Sequence, residues 1–295
     1  MPWLQVILDT ETQYVEEISD GLIAIGAICV TLQDAEDQAL YEPPLNTTPL
    51  WKHTQVIGLF DAADEVDNLA LSVQLQNVLA PLPLPPIQFQ RLEDQEWTQL
   101  SMIDFHPMRF GNRVWICPSW EQPPQPQAVN IFLDPGLAFG TGTHTTTALC
   151  LEWLDQQSDW SNQMLIDYGC GSGILAITAA KLGAAHVWAV DIDPQALLAT
   201  RTNAEKNQVT MLISTLLPTQ LPHLKVDILM ANILSAPLIE LAPTLANYLK
   251  PAASLVLSGI LKEQTPEVIA AYTAYFTIIE VTERDNWMRI VATKL

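Results

Sequence analysis

The chain has 295 residues, 49% of them apolar and only 16% charged, which excludes disorder and gives enough material for two domains and a large core. It carries 33 acidic against 13 basic residues, and the resulting net charge of −20 repels nucleic-acid phosphates. No apolar run reaches the roughly 20 residues of a bilayer span, and the start of the chain lacks the basic flank of a signal peptide, so the expected location is the cytoplasm.

Residues 1–92 read as two similar halves. A strand over 3–8 leads to a helix in which Tyr14, Ile18, Leu22 and Ile25 keep a helical step, with Thr10 as its cap and Gly26 as its end; a strand over 27–32 follows. The pattern repeats as a strand over 54–60, a helix from Asp61 through Leu79, and a strand over 87–92. Strand-helix-strand twice over predicts a small ferredoxin-like α+β domain, a fold that hosts many functions. Residues 93–127 read as a linker: a helix over 94–102, a short extended piece over 114–116, then Glu121-Gln-Pro-Pro-Gln-Pro-Gln127, which is stiff and helix-incompatible. Trp97, Phe105, Phe110, Trp115 and Trp120 crowd this stretch, either packing domains together or lining a groove.

From residue 128 strands and helices alternate. A strand over 129–133 precedes the loop Asp134-Pro-Gly-Leu-Ala-Phe-Gly-Thr-Gly-Thr-His-Thr-Thr-Thr147 and a helix over 148–154. Strands are expected over 164–166, 187–190, 226–230 and 254–257, and helices over 174–182, 194–207, 237–249 and 263–272. A closing hairpin covers 276–283 and 288–293. The expectation is an α/β, Rossmann-like domain of seven strands with a final antiparallel pair.

The stretch that organises this half is MLIDYGCGSGILAITAAKLGAAHVWAVDIDP, residues 164–194. It is one βαβ unit with a Gly-rich turn at the carboxyl end of its first strand, where open α/β sheets bind ligands. Gly169 and Gly171 let the backbone approach a ligand that side chains would exclude, and Asp191, at the tip of the second strand, can accept hydrogen bonds from two ribose hydroxyls. The dinucleotide fingerprint needs G-x-G-x-x-G, but here Ile174 stands in place of its last glycine. Asp167 would repel a pyrophosphate. A D-x-G-x-G-x-G turn suits a cationic ligand better, and it resembles the first motif of the class I S-adenosylmethionine methyltransferases. The Gly/Thr loop ends without the G-K-[ST] of a phosphate loop, and its threonines meet a helix N-terminus, a good place for a carboxylate. His144 in that loop is either catalytic or structural.

Charge and cysteines add bounds. Residues 1–130 hold 18 acids against 4 bases, a balance that serves solubility or steers a basic partner. Cys29, Cys117, Cys150 and Cys170 show no C-x-x-C and no histidine at ligand spacing, so a reduced protein without a metal site is expected.

In order, MPWLQVILDT, FHPMRFGNRVWICPSW, LDPGLAFGTGTH, IDYGCGSGILAI, VDIDPQAL and ANIL resemble the PrmA family, and the likeness covers nearly the whole chain. LDPGLAFGTGTH is far more selective than the glycine turn. Members of that family methylate the eleventh protein of the large ribosomal subunit on lysine side chains and on its N-terminal α-amine. The resemblance implies a substrate-recognition domain over 1–92, a linker over 93–127 and a class I catalytic domain over 128–295. It implies S-adenosylmethionine as cofactor, S-adenosylhomocysteine as product and a basic ribosomal protein as partner, with no direct binding of nucleic acid or membrane. Carried over by position, the cofactor contacts fall on Thr147, Gly169, Asp191 and Asn232, with Gly171 beside them. Where the family usually has His-Pro-Thr-Thr, this chain has His144-Thr145-Thr146-Thr147.

Asn232 is then the expected catalytic group, its side-chain oxygen accepting an amine hydrogen so that the nitrogen lone pair faces the methyl group; its plainer role is that of a turn residue. The amino-methylases of DNA and glutamine place Asn-Pro-Pro-Tyr here, whereas Asn232-Ile-Leu lacks the stacking tyrosine. Alternatives are a methyltransferase for another protein or a small amine, and a non-catalytic module that binds a ribosomal protein. Oligomeric state is left open by the sequence.

Overall fold

Leu4, Val6 and Leu8 alternate along the first strand and point into one core with Ile18 and Leu22 of the first helix and Leu75 and Leu79 of the second. The structure, a computed structural model, describes residues 3–36, 38, 48–61, 68–82, 84–92, 105–134 and 144–295. It divides into two units, Met1–Leu100 and Ser101–Leu295.

The first unit runs β1 (Trp3–Glu11), α1 (Val15–Ala24), β2 (Cys29–Asp34), β3 (His53–Asp61), α2 (Asn68–Leu79) and β4 (Ile87–Leu92). Its antiparallel sheet has the order β2-β3-β1-β4, so each strand-helix-strand half brackets a strand of the other, the ferredoxin-like arrangement. Thr10, expected as a helix cap, lies within β1 instead: pairing with β3 runs on to Glu11 opposite His53, and a short 3-10 turn intervenes before α1. Asp61 is the last residue of β3, and the start of the helix expected after it falls outside the described residues, as does the helix expected over 94–102.

In the second unit, β5 (Met108–Phe110), β6 (Val114–Cys117) and β7 (Val129–Phe132) form a small sheet of three strands. Residues 105–117, read from sequence as part of a linker, thus pack within this unit. Buried Phe105, Phe110, Val114 and Ile116 join its core, and the turn at Gly111 is held by Asp155, which accepts from Asn112 N at 2.6 Å and Arg113 N at 2.9 Å. The Pro-rich stretch is tied down by Asn130, whose Nδ2 donates to Gln125 O and Ala128 O.

The remaining elements are α3 (Thr145–Gln156), β8 (Met164–Tyr168), α4 (Ile174–Leu182), β9 (His186–Val190), α5 (Pro194–Lys206), β10 (Ile213–Leu216), β11 (Val226–Asn232), α6 (Ser235–Asn247), β12 (Leu249–Leu261), α7 (Thr265–Tyr272), β13 (Phe276–Arg284) and β14 (Trp287–Lys294). The large sheet has seven strands in the order β10-β9-β8-β11-β12-β14-β13. The first five run parallel, and β14 pairs antiparallel with both its neighbours. The expected count of seven is met with one exchange of members: β7 belongs to the small sheet, and β10, unassigned from sequence, is the edge strand. Asn207, at the end of α5 and almost fully buried, ties that helix to β7 of the small sheet: its Oδ1 accepts from Phe132 N and its Nδ2 donates to Phe132 O, both at 2.8 Å.

Candidate active site

The chain visits β8, β9 and β10 on one side before crossing to β11 on the other, so the sheet's switch point lies between β8 and β11. Ligands in open α/β sheets bind outside the carboxyl ends of strands at such a point. Gly169 follows β8, Asp191 follows β9, and Asn232 ends β11, with Met230 paired to Asp167 and Val190 to Tyr168. Three of the five site residues expected from sequence therefore stand on adjacent strand ends.

The turn after β8 is built from left-handed glycines: Gly169, Gly171 and Gly173 have φ of 81°, 52° and 79°. A side chain at Gly169 is disfavoured by its left-handed backbone, and a Cβ there would press on the Cγ2 methyl of Ile233, the residue after Asn232. This close approach brings the glycine turn and the Asn232 segment together as two sides of one site. The turn is held from below by Gly169 N and Cys170 N, which donate to Val190 O at 2.7 and 3.0 Å. From α5, Thr200 Oγ1 donates to Gly171 O at 3.0 Å and Asn203 Nδ2 to Ser172 O at 2.9 Å.

Asp191 closes the other side. Its Oδ2 accepts from Gly171 N at 2.9 Å and its Oδ1 from Asp193 N at 3.0 Å, which leaves each oxygen a further lone pair. Asp193 in turn caps α5 through Gln195 N. Ile192, directly after Asp191, is an apolar residue left 81% exposed. Asp167 is buried at the end of β8; its Oδ2 accepts from Ala176 N at 3.1 Å in the first turn of α4, while its Oδ1 has no partner. Burial first, then the nearby Asp191 charge, pushes its carboxyl up to about 7.

Thr147 lies in the first turn of α3 and is buried, and Asn232 Nδ2 donates to its Oγ1 at 3.4 Å. That contact unites the helix N-terminus with the end of β11, so all five expected residues, Thr147, Gly169, Gly171, Asp191 and Asn232, border the same end of the sheet. His144 is the N-cap of α3: its Nδ1 accepts from Thr146 N at 3.3 Å and lies 2.8 Å from Thr146 Oγ1. Desolvation holds its pKa below the ordinary histidine value, which keeps the ring neutral and that lone pair available. The structure thus uses His144 as a cap. Gly136, Gly140 and Gly142 fall outside the described residues.

The family profile described as Ribosomal protein L11 methyltransferase (PrmA) matches residues 2–295. The chain belongs to the PrmA family. Ribosomal protein L11 methyltransferase of Cellvibrio japonicus is 50% identical over 295 residues, covering 100% of this chain and 99% of the relative. The Azotobacter vinelandii protein of the same name is 51% identical over 291 residues, 98% of each chain. Among solved structures, ribosomal protein L11 methylase of Lactobacillus delbrueckii subsp. bulgaricus is 32% identical with a TM-score of 0.59, covering 64% of this chain and 99% of its own.

For a PrmA site, sequence reasoning passed over one residue that the geometry needs. Gly259, within β12, has φ of 82°, and a Cβ there would strike the backbone carbonyl of Ile233. It lets the Asn232–Ile233 turn cross directly over the neighbouring strand. An isolated glycine inside the apolar run of β12 is the signal for such an approach. Thr200 and Asn203, by contrast, sit among ordinary helical positions of α5 and left no mark in the pattern.

Proposed function

We propose that this chain transfers methyl groups from S-adenosylmethionine to lysine and N-terminal amines of ribosomal protein L11, the substrate named in its relatives. The reading is carried by the apposition of Gly169 with Ile233 at the switch point, with Asp191 on one flank and Asn232 on the other. When bound, the cofactor supplies a methyl group made electrophilic by its sulfonium. The residues present fit it: the glycine turn keeps left-handed, side-chain-free backbone at the strand ends, and Asp191 keeps lone pairs for two vicinal hydroxyls. Ile192 offers an apolar contact for a base, and the unpartnered oxygen of buried Asp167 suits an ammonium.

Thr147 stands where the amides and dipole of the α3 N-terminus favour a carboxylate. Asn232, with its Nδ2 engaged by Thr147, keeps its Oδ1 to accept an amine hydrogen and so aim the nitrogen lone pair. No strong base is required. Deprotonating a lysine of pKa near 10.4 at about pH 7.4 costs roughly 4 kcal/mol, and an α-amine near 7.8 less than about 1 kcal/mol, whereas orientation lowers such barriers by about 7–11 kcal/mol. The first unit, Met1–Leu100, is the docking arm for the protein substrate in this reading, and a ribosomal-protein substrate is consistent with work in the cytoplasm.

Intact mass of L11 after incubation with the chain and S-adenosylmethionine should rise in steps of one methylene; no increase would reject the reading. Asn232→Ala should slow transfer about a hundredfold while leaving cofactor affinity within about threefold. Equal losses in both would remove the orienting role.

A further inference from the structure

The hairpin of β13 and β14 ends in Asp285 and Asn286, whose φ of 50° and 65° make the tight two-residue turn that antiparallel strands prefer. Its tip does not point into solvent alone. Thr145 Oγ1 donates to Asp285 Oδ2 at 3.1 Å, across 140 residues of chain. The ring of Trp287 meets that of His144 edge-on, with centroids 4.9 Å apart. On the same helix, Arg284 makes two parallel bonds to Glu152, at 3.0 and 2.7 Å, and buried Arg289 donates to Leu149 O at 2.8 Å. The tip also reaches the other side of the site: Lys262 N donates to Asn286 O at 3.0 Å, just beyond the end of β12, the strand whose Ser258 pairs with Asn232. The same short piece of chain therefore grips both the helix that carries Thr147 and the strand end that supports Asn232.

We infer that the tip, Asp285 with Trp287, is a positioning device for methyl transfer, acting through Thr145 and His144. It holds the first turn of α3 at the place where Thr147 engages the Asn232 carboxamide, and so sets the direction of the oxygen that aims the amine. The inference rests on the function proposed above. Thr145 is the informative member because its hydroxyl is the only part of it engaged with the hairpin among the hydrogen bonds described. This bond lies at the surface, where a hydrogen bond adds little to global stability. Its loss is therefore read in rate and in local opening, and leaves the unfolding temperature in place.

The test compares the full-length chain with Thr145→Val, Thr145→Ser, Asn232→Ala and the Thr145→Val/Asn232→Ala pair. Methylation of L11 is followed by mass, and amide exchange of residues 145–148 is followed in the protein without cofactor. Thr145→Val should lower kcat about fivefold, the worth of one hydrogen bond, with KM for L11 and the thermal midpoint unchanged and with faster exchange in the first turn of α3. Thr145→Ser should restore both. In the Asn232→Ala background Thr145→Val should cost nothing further, because the aimed group is gone. An unchanged kcat with unchanged exchange, a loss that multiplies with that of Asn232→Ala, or a fall in thermal midpoint that serine does not repair would each overturn the inference. Should the wild-type chain leave L11 unmodified, the proposed function fails, and the exchange comparison of valine with serine still decides whether the tip holds the helix.

Discussion

Asp167 shows how one side chain couples the site to pH. Its pKa is raised from 3.8 to about 7, chiefly by burial. A group whose folded pKa lies above its unfolded one contributes stability that is complete below the unfolded value and is lost as pH rises through the folded value. The chain without ligand should therefore lose stability from this source between about pH 4 and 7. Asp167→Asn keeps an oxygen for Ala176 N and removes the titration. Thermal unfolding from pH 4.5 to 8 should show the variant gaining on the wild type as pH rises, with the difference greatest at the alkaline end. Parallel profiles would refute the coupling. At this scale the sequence spoke clearly where backbone geometry forces a residue type: the glycines after β8 and the acid after β9 stand out by spacing alone. It was silent on Thr200 and Asn203, whose bonds to the glycine turn come from one face of a helix that looks ordinary in composition.

Among the elements, the buried parallel strands were legible because both faces are covered and the apolar runs are continuous. β10 was not, since Ile213-Ser-Thr-Leu216 sits at the edge of the sheet, half buried, and carries too short an apolar signal to separate from a loop. β5 escaped for the same reason of length. α3 begins three residues earlier than its apolar pattern, because His144 caps it through a ring nitrogen in place of the usual hydroxyl or carboxylate. The crossing of β12 by the Asn232 turn makes a sharp expectation: Gly259→Ala combines a left-handed alanine, costing about 1–2 kcal/mol, with a collision against Ile233 O. Thermal and denaturant unfolding should report a loss of more than about 2 kcal/mol, together with a marked drop in methylation. A variant as stable and active as the parent would show that the turn has room to move.

For the molecule as a whole, the division into an acidic α+β unit and a Rossmann-like unit could be read from strand-helix repetition and from charge. The place of residues 105–117 could not, because they pack on a core built from distant parts of the chain and their turn is fastened by a carboxylate of α3, Asp155, that lies some forty positions away. Net charge has a consequence for kinetics. With −20 on the chain, most of it before residue 131, a basic substrate would be drawn in by attraction that salt screens within about 10 Å at 0.1 M. Raising ionic strength from about 0.05 to 0.5 M should increase KM for L11 severalfold and leave kcat nearly constant; a KM indifferent to salt would remove steering as a role for the acidic surface. Within the second unit, the clasp that Asn207 places on Phe132 depends on having both a donor and an acceptor in one side chain. Its Oδ1 takes the Phe132 amide hydrogen, while the two hydrogens of Nδ2 go to Phe132 O and Asn203 O. A carboxylate at this position, as in Asn207→Asp, would have no hydrogen to give, and an anion would confront two carbonyls in a nearly closed interior. The joint between the end of α5 and β7 thus tolerates an amide and rejects an acid of the same shape.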